Sequence, residues 1–168
     1  MKFNFYAFKA IYLHEMDRFR RTMMQSLFSP VLSTSLYFIV FGSVIGGYVE
    51  NIDGISYGSY IVPGLIMLTL LTQSISNTSF GIFFPKFNGT IYEILAAPIS
   101  TFEIVIAFVG AGASKTLIVG VVIFITATFF VEVEVMYPLL MIFLLVLVAF
   151  TFALFGFLIG LMSSNFEQ

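Results

Sequence analysis

The chain has 168 residues, of which 60% are hydrophobic and only 10% are charged. A soluble domain of this size cannot bury so much apolar surface, and the absence of cysteine excludes disulfides and thiolate metal sites. The formal net charge of −2 is uninformative beside the local distribution of charges, and we expect no nucleic-acid partner.

Residues 1–21 are predicted to form an amphipathic helix at the membrane interface. One apolar stripe recurs at helical spacing, and a polar set that includes His14, Asp17 and Arg18 falls on the opposite side. Such a helix places its rings in the acyl boundary and its charges toward lipid phosphates. The alternative is a flanking segment that only supplies orientation charges. The candidate interface residues are Phe5, Phe8, Tyr12, Phe19, Arg20 and Arg21.

Four apolar runs are long enough to cross a bilayer, which requires about 20 residues of helix. Thr22–Val49, Gly54–Pro85 and Val135–Phe166 carry no charge, and Ile104–Val131 carries only Lys115. These runs predict spans at 28–49, 60–84, 104–130 and 137–163. The predicted fold class is therefore an all-α polytopic membrane protein, with an interfacial helix and four transmembrane helices.

The distribution of basic residues predicts the orientation of these spans. Five Lys and Arg residues precede the first span, Lys86 lies in the second connection, and the other two connections have none. Because basic residues near span ends favour the cytoplasmic side, both termini and residues 85–103 should be cytoplasmic. The connections that hold Asp53 and Glu132 should face outward.

Two pairs of glycines, one helical turn apart, are candidates for close helix packing. They are Gly42 with Gly46 in the first span and Gly156 with Gly160 in the fourth. Small residues let helix backbones approach closely in lipid. One pair is expected to mark a helix interface, which can lie within one chain or between two copies.

Lys115 is the one charged residue inside a predicted span. Near the bilayer midplane it would mark a transport pathway or pair with a buried partner. If the helix enters the hydrocarbon later, its amine can instead snorkel to the cytoplasmic headgroups, which we favour. No metal-ligand cluster and no catalytic triad is found, and Gly110–Thr116 departs from the phosphate-loop pattern. No enzymatic, metal or cofactor site is expected in the chain itself.

The connection 85–103 is unusually apolar for a cytoplasmic loop. Pro85 is predicted to end the second helix, and a short helix follows the Asn88-Gly89 turn and stops before Pro98. Thr90 and Glu93 have the spacing of a capping box. Exposed apolar side chains on a capped helix indicate a docking site for a cytoplasmic protein, although an interfacial or re-entrant turn is the alternative. The candidate docking residues are Phe87, Asn88, Gly89, Thr90, Ile91, Tyr92, Glu93, Ile94 and Leu95.

The sequence resembles the membrane subunits of bacterial ABC-2 type transporters, in particular the YadH- and NodJ-like permeases. The matching segments run along the whole chain in the family's order, and the most specific are Pro63-Gly64 and the loop ending in Ala97-Pro98. They are the basic aromatic start up to Arg20-Arg21, Leu36–Gly42, Tyr60–Leu65, Phe87–Ser100 and Asn165–Gln168.

The resemblance implies a permease of the bacterial inner membrane that exports lipid, polysaccharide or drug-like substrates. It implies a homodimer of permeases with a separate ATPase, which would bind ATP and Mg²⁺ and would receive residues 88–95 as a coupling helix. Two departures stand out: a basic residue usual in this loop is missing at Asn88-Gly89, and the family has six spans. We therefore expect a truncated or partial chain, with roughly 90 further residues for two more spans.

Two other classes of function compete with this interpretation. A four-span scaffold or assembly protein would share the composition but would have no ATPase partner. A secondary transporter should place carboxylates or histidines inside its spans for ion coupling, and the predicted spans contain none.

Overall fold

The computed structural model describes residues 3–45, 51–52, 55–131, 133 and 135–164. Within these ranges the fold is helical apart from an antiparallel ladder in which β1 (Asn51–Ile52) pairs with β2 (Ile55–Ser56). Four helices are long and apolar enough to cross a membrane. The predicted fold class, an all-α polytopic membrane protein, is confirmed.

The N-terminal part of the chain forms two helices separated by a single residue. Helix α1 spans Phe5–Arg21, and the Asn4 side chain caps it by accepting a hydrogen bond from the Ala7 amide at 3.2 Å. Helix α2 spans Met23–Tyr37 and continues as a π-helical segment, Phe38–Ile45. The first apolar helix thus begins five residues before the predicted start at 28, and residues 46–49 of the predicted span lie outside the described residues.

Helix α3 spans Tyr57–Phe87, so the prediction that Pro85 ends it is wrong. Proline removes one backbone donor, and in the last turn of a helix this loss affects only the bond to the residue four positions earlier. The chain then turns at Gly89, whose φ of 79° belongs to the left-handed region that favours glycine. The short helix α4 follows at Ile91–Ala96.

Helices α5 (Thr101–Thr128) and α6 (Pro138–Met162) begin and end within three residues of the predicted third and fourth spans. Ser100 caps α5, because its hydroxyl accepts from the Glu103 amide while the Glu103 carboxylate accepts from the Ser100 amide at 2.8 Å. Proline at the first position of α6 fits the start of a helix, where its missing N–H is not needed.

Helix α5 occupies the centre of the bundle and packs against α1, α2, α3 and α6, while α3 and α6 form the most extensive helix pair. Two apolar clusters lie along α5. The cluster nearer α4 is built around Phe108, Val109 and Ala113, and the other around Val119, Ile123 and Ala127. Between these clusters α5 carries three consecutive polar residues, 114–116.

Candidate functional site

The polar residues between the two apolar clusters hold a buried ion pair. Lys115 of α5 donates to the Oε2 atom of Glu15 of α1 at 2.7 Å, and both side chains are at least 96% buried. Arg18 forms an ion pair with the same Oε2 atom at 2.9 Å. One carboxylate oxygen therefore contacts two cations, one supplied by its own helix and one by the central helix.

Helix α1 runs alongside the first half of α5, and this arrangement brings Glu15 to Lys115. Three contacts follow one another along the two helices. The backbone amide of Asn4 donates to the Glu103 carboxylate, the Tyr12 hydroxyl donates to Ser114 at 2.9 Å, and the ion pair comes next. The spacing of residues 8, 12, 15 and 19 places Glu15 on the same helical face as the aromatic stripe. An acidic residue on that apolar face is a sequence signal that could have indicated a buried ion pair, although it does not identify the partner.

The favoured interpretation of Lys115, an amine that snorkels to the headgroups, is therefore wrong. Its nitrogen is buried and paired, because α1 supplies a carboxylate that the four predicted spans lack. The predicted division of α1 into faces also needs correction. Phe19 is buried and Tyr12 bonds to α5, so these stripe residues face protein rather than lipid, whereas Phe5 is exposed. A role for Lys115 in a transport pathway stays a prediction.

The two glycines of α6 lie where its backbone meets α3. A Cβ atom added at Gly156 would stand 2.5 Å from the Ile75 carbonyl oxygen, and one at Gly160 would stand 2.5 Å from that of Ser79. The structure thus places this pair at a helix interface within one chain. Gly42 lies in the π-helical segment, and Gly46 lies outside the described residues.

The predicted docking loop projects only part of its apolar surface. Tyr92 is 72% exposed and Leu95 is 61% exposed, and Phe87 is also exposed. Ile91 and Ile94 are partly buried and pack against the apolar cluster around Phe108. The loop therefore has an exposed outer face, as expected for a docking site, and an inner face that attaches it to the bundle.

The predicted capping box at Thr90 and Glu93 is also wrong. Thr90 has helical backbone angles (φ −65°, ψ −16°) and makes no side-chain cap, and its hydroxyl instead donates to the Pro85 carbonyl at 3.4 Å. An N-cap residue needs an extended backbone so that its oxygen can reach the free amides of the first turn. Ser100, with ψ of 151°, has that backbone and forms the box described for α5.

One further contact near this loop was not predicted from the sequence. The Lys86 ammonium, near the end of α3, donates to the Leu161 and Ser163 carbonyl oxygens at 2.7 Å each. Carbonyl groups at the C-terminus of a helix lack intrahelical donors and carry partial negative charge, so a lysine there stabilises the end of α6. A residue read from sequence as an orientation signal thus also joins α3 to α6.

Comparison with known proteins assigns the family. A sequence profile described as "ABC-2 type transporter" matches residues 6–168. The chain belongs to the ABC-2 type transporter family. This ABC-2 chain is 38% identical over 162 residues to a protein named "Inner membrane transport permease YadH" from Escherichia coli K12, and equally to the proteins of that name from E. coli O157:H7 and Shigella flexneri.

The match covers 96% of the ABC-2 chain and 63% of each of these relatives, so the chain spans less than two thirds of their length. No solved structure matches it. The four apolar helices of the fold agree with a membrane domain of this family.

Proposed function

We propose that this chain is the permease subunit of an ATP-driven exporter in the bacterial inner membrane. Its relatives are named as inner membrane transport permeases, and the chain shares their ABC-2 membrane domain. By this proposal lipid, polysaccharide or drug-like substrates leave the cytoplasm through a homodimer of permeases. ATP and Mg²⁺ bind to a separate ATPase subunit, and the permease itself catalyses no reaction.

The observation that carries the coupling part of the proposal is the two-sided loop around α4. An element that transmits motion must bind the ATPase on one side and be fixed to the membrane helices on the other. Tyr92 and Leu95 are exposed for the first task, while Ile91 and Ile94 pack on the bundle for the second. Large apolar side chains that stay exposed on a short helix are typical of a site that a partner covers.

A substitution that removes only the outer face tests this role. We would coexpress the chain with the ABC ATPase encoded beside its gene and purify the complex from detergent-solubilised membranes. Tyr92→Ala combined with Leu95→Ala should reduce ATPase recovery at least tenfold, because the lost aromatic and aliphatic contacts are central to such an interface. Tyr137→Ala is the matched control, because Tyr137 is similarly exposed in the α5–α6 connection, at the opposite end of α5.

The same experiment separates a transporter subunit from a four-span scaffold. Equal ATPase recovery by the loop variant and the control would contradict the coupling role of α4. An absence of any ATPase from the wild-type complex would favour the scaffold instead. Membrane yield of each variant, measured by quantitative immunoblot, establishes that insertion is unchanged.

A further inference from the structure

A cavity of about 140 Å³ lies beside the buried ion pair, where the junction of α1 and α2 faces α3 and α5. About 10–15 Å³ of such space is enough to hold one water molecule, so the cavity is much larger than a single water site. Both cations of the ion pair reach its wall, together with hydroxyl and amide groups. These polar lining residues are Arg18, Thr22, Ser26, Ser76, Asn77 and Lys115.

The charges around this cavity do not balance. Among the described residues, Arg18 and Lys115 contribute two positive charges, and Glu15 contributes the negative charge that contacts them both. A guanidinium has five N–H donors and an ammonium has three, whereas the contacts described here end on a single oxygen atom. The Lys115 side chain is almost fully buried and that of Arg18 is 37% exposed, so an anion that enters the cavity can neutralise the excess charge where Arg18 reaches the surface.

The groups on the wall suit a phosphate. The planar guanidinium of Arg18 can donate two parallel hydrogen bonds to phosphate oxygens, and the lysine ammonium adds a compact charge. Ser76 and Asn77 are neutral donors on α3 that line the same cavity. Gly81 of α3 lies beside the ion pair, since a Cβ atom built there would be in van der Waals contact with Glu15 Oε2 at 3.4 Å and with Arg18 at 3.9 Å.

Exposed apolar side chains accompany the polar lining residues. Phe80 lines the cavity and is half exposed, and Met23, Met24 and Phe28, which follow on α2, are also exposed in the described part of the chain. A ligand that fills the site therefore combines one anionic group with apolar chains, which is the chemistry of a lipid. We propose that this cavity binds the phosphate of an anionic lipid through Arg18 and Lys115. This site does not depend on the proposed transport function.

Binding of phosphatidylglycerol to the purified chain tests the site. The chain would be exchanged into neutral detergent micelles with graded amounts of phosphatidylglycerol or phosphatidylcholine, and bound lipid would be counted by native mass spectrometry. Wild type should retain phosphatidylglycerol in preference to phosphatidylcholine. Arg18→Gln should weaken this retention about tenfold or more, since a hydrogen bond to a charged group is lost. The matched control, Arg20→Gln, removes an arginine of the same helix that is 82% exposed, and it should leave retention unchanged.

Glu15→Gln distinguishes two roles of this carboxylate, because only competition with a bound phosphate predicts tighter binding of phosphatidylglycerol. If the carboxylate competes with a bound phosphate for the same two cations, this substitution should tighten phosphatidylglycerol binding and make the thermal stability of the variant depend on that lipid. If Glu15 only holds the helices together, lipid binding should fall or stay constant, and the proposal would be overturned.

Two other outcomes would also overturn the proposed lipid site. Equal losses in Arg18→Gln and Arg20→Gln would mean that the lipid responds to general surface charge rather than to the cavity. Displacement of phosphatidylglycerol by millimolar inorganic phosphate would identify a free anion as the ligand and overturn the lipid assignment.

Discussion

Glu15 and Lys115 are 100 positions apart in the sequence, yet their side chains meet at 2.7 Å with both nearly buried. The contact joins the N-terminal helix to the centre of the bundle, where α5 also packs on α2, α3 and α6. Since residues 1–21 are proposed to lie at the cytoplasmic interface, this ion pair ties that helix to the membrane helices. Movement of α5 should therefore be accompanied by α1.

The ion pair predicts that Glu15→Gln and Lys115→Met reduce the stability of the chain by different amounts. Glu15→Gln leaves two adjacent cations without their carboxylate and should cost about 3–5 kcal/mol of stability, the usual penalty for an unpaired buried charge. Lys115→Met should cost less, because Arg18 still neutralises Glu15. The double variant, with both Glu15→Gln and Lys115→Met, should be more stable than Glu15→Gln alone. These differences can be measured by denaturant titration of the circular dichroism signal in neutral detergent.

A surface ion pair of the same helix serves as the control for this series. Arg20 and Asp17 stand 3.9 Å apart with both side chains exposed, so Asp17→Asn should change stability by no more than about 1 kcal/mol. A Glu15→Gln variant no less stable than Asp17→Asn would show that the buried pair does not hold α1 in place.

The close approach of α6 to α3 predicts strong sensitivity at Gly156. Gly156→Val should force the helices apart, because even its Cβ atom would overlap the Ile75 backbone. We expect a loss of several kcal/mol, as for overpacked sites that cannot relax. Gly64→Ala is the matched control, since nothing lies within 4 Å of the position and alanine favours a helix by about 0.5–1 kcal/mol. Midpoints of thermal aggregation in detergent should fall for the first and stay constant or rise for the second.

The cap of α5 predicts a local effect at Ser100. Ser100→Ala removes a side-chain cap and should cost about 1 kcal/mol. Amide hydrogen exchange should accelerate in the first turn of α5 while the rest of that helix keeps its protection. Thr90→Ala should leave the first turn of α4 unchanged, because Thr90 makes no cap there. Similar acceleration at both sites would contradict the assignment of the caps.

The topology of the membrane domain can be tested in the cysteine-free background. Asn88→Cys should be protected from an impermeant thiol reagent in intact cells, and Tyr137→Cys should react, because the positive-inside rule places the second connection in the cytoplasm. The reverse labelling pattern would invert the proposed orientation. The acidic residues Asp53 and Glu132, predicted to face outward, lie outside the described residues.

The sequence predicted the membrane helices well because a long apolar run has few alternatives to a spanning helix. The ends of α3, α5 and α6 all lie within three residues of the predicted spans, although α3 continues past Pro85, since a proline in the last turn removes only one internal bond. Local composition thus fixes the existence of a helix better than its last turn.

Contacts between residues that are far apart in the sequence could not be predicted from local composition. Thr90–Glu93 and Ser100–Glu103 share one capping pattern, and only the backbone angles, which the preceding turn sets, distinguish them. Likewise nothing near Lys115 in the sequence names Glu15 as its partner. The outer face of α4 was predicted from composition, but its inner contacts with the Phe108 cluster depend on how α3 and α5 pack.

The central claim, that α4 receives an ATPase, is tested most directly by site-specific photo-crosslinking. A photoreactive amino acid at Tyr92, on the exposed side of α4, would be irradiated in membranes that contain the coexpressed ATPase, with the same group at Tyr137 as the control. We predict a crosslinked permease–ATPase product from position 92 and none from position 137. Crosslinking from position 137 alone, or from neither position while the ATPase is present, would contradict the account.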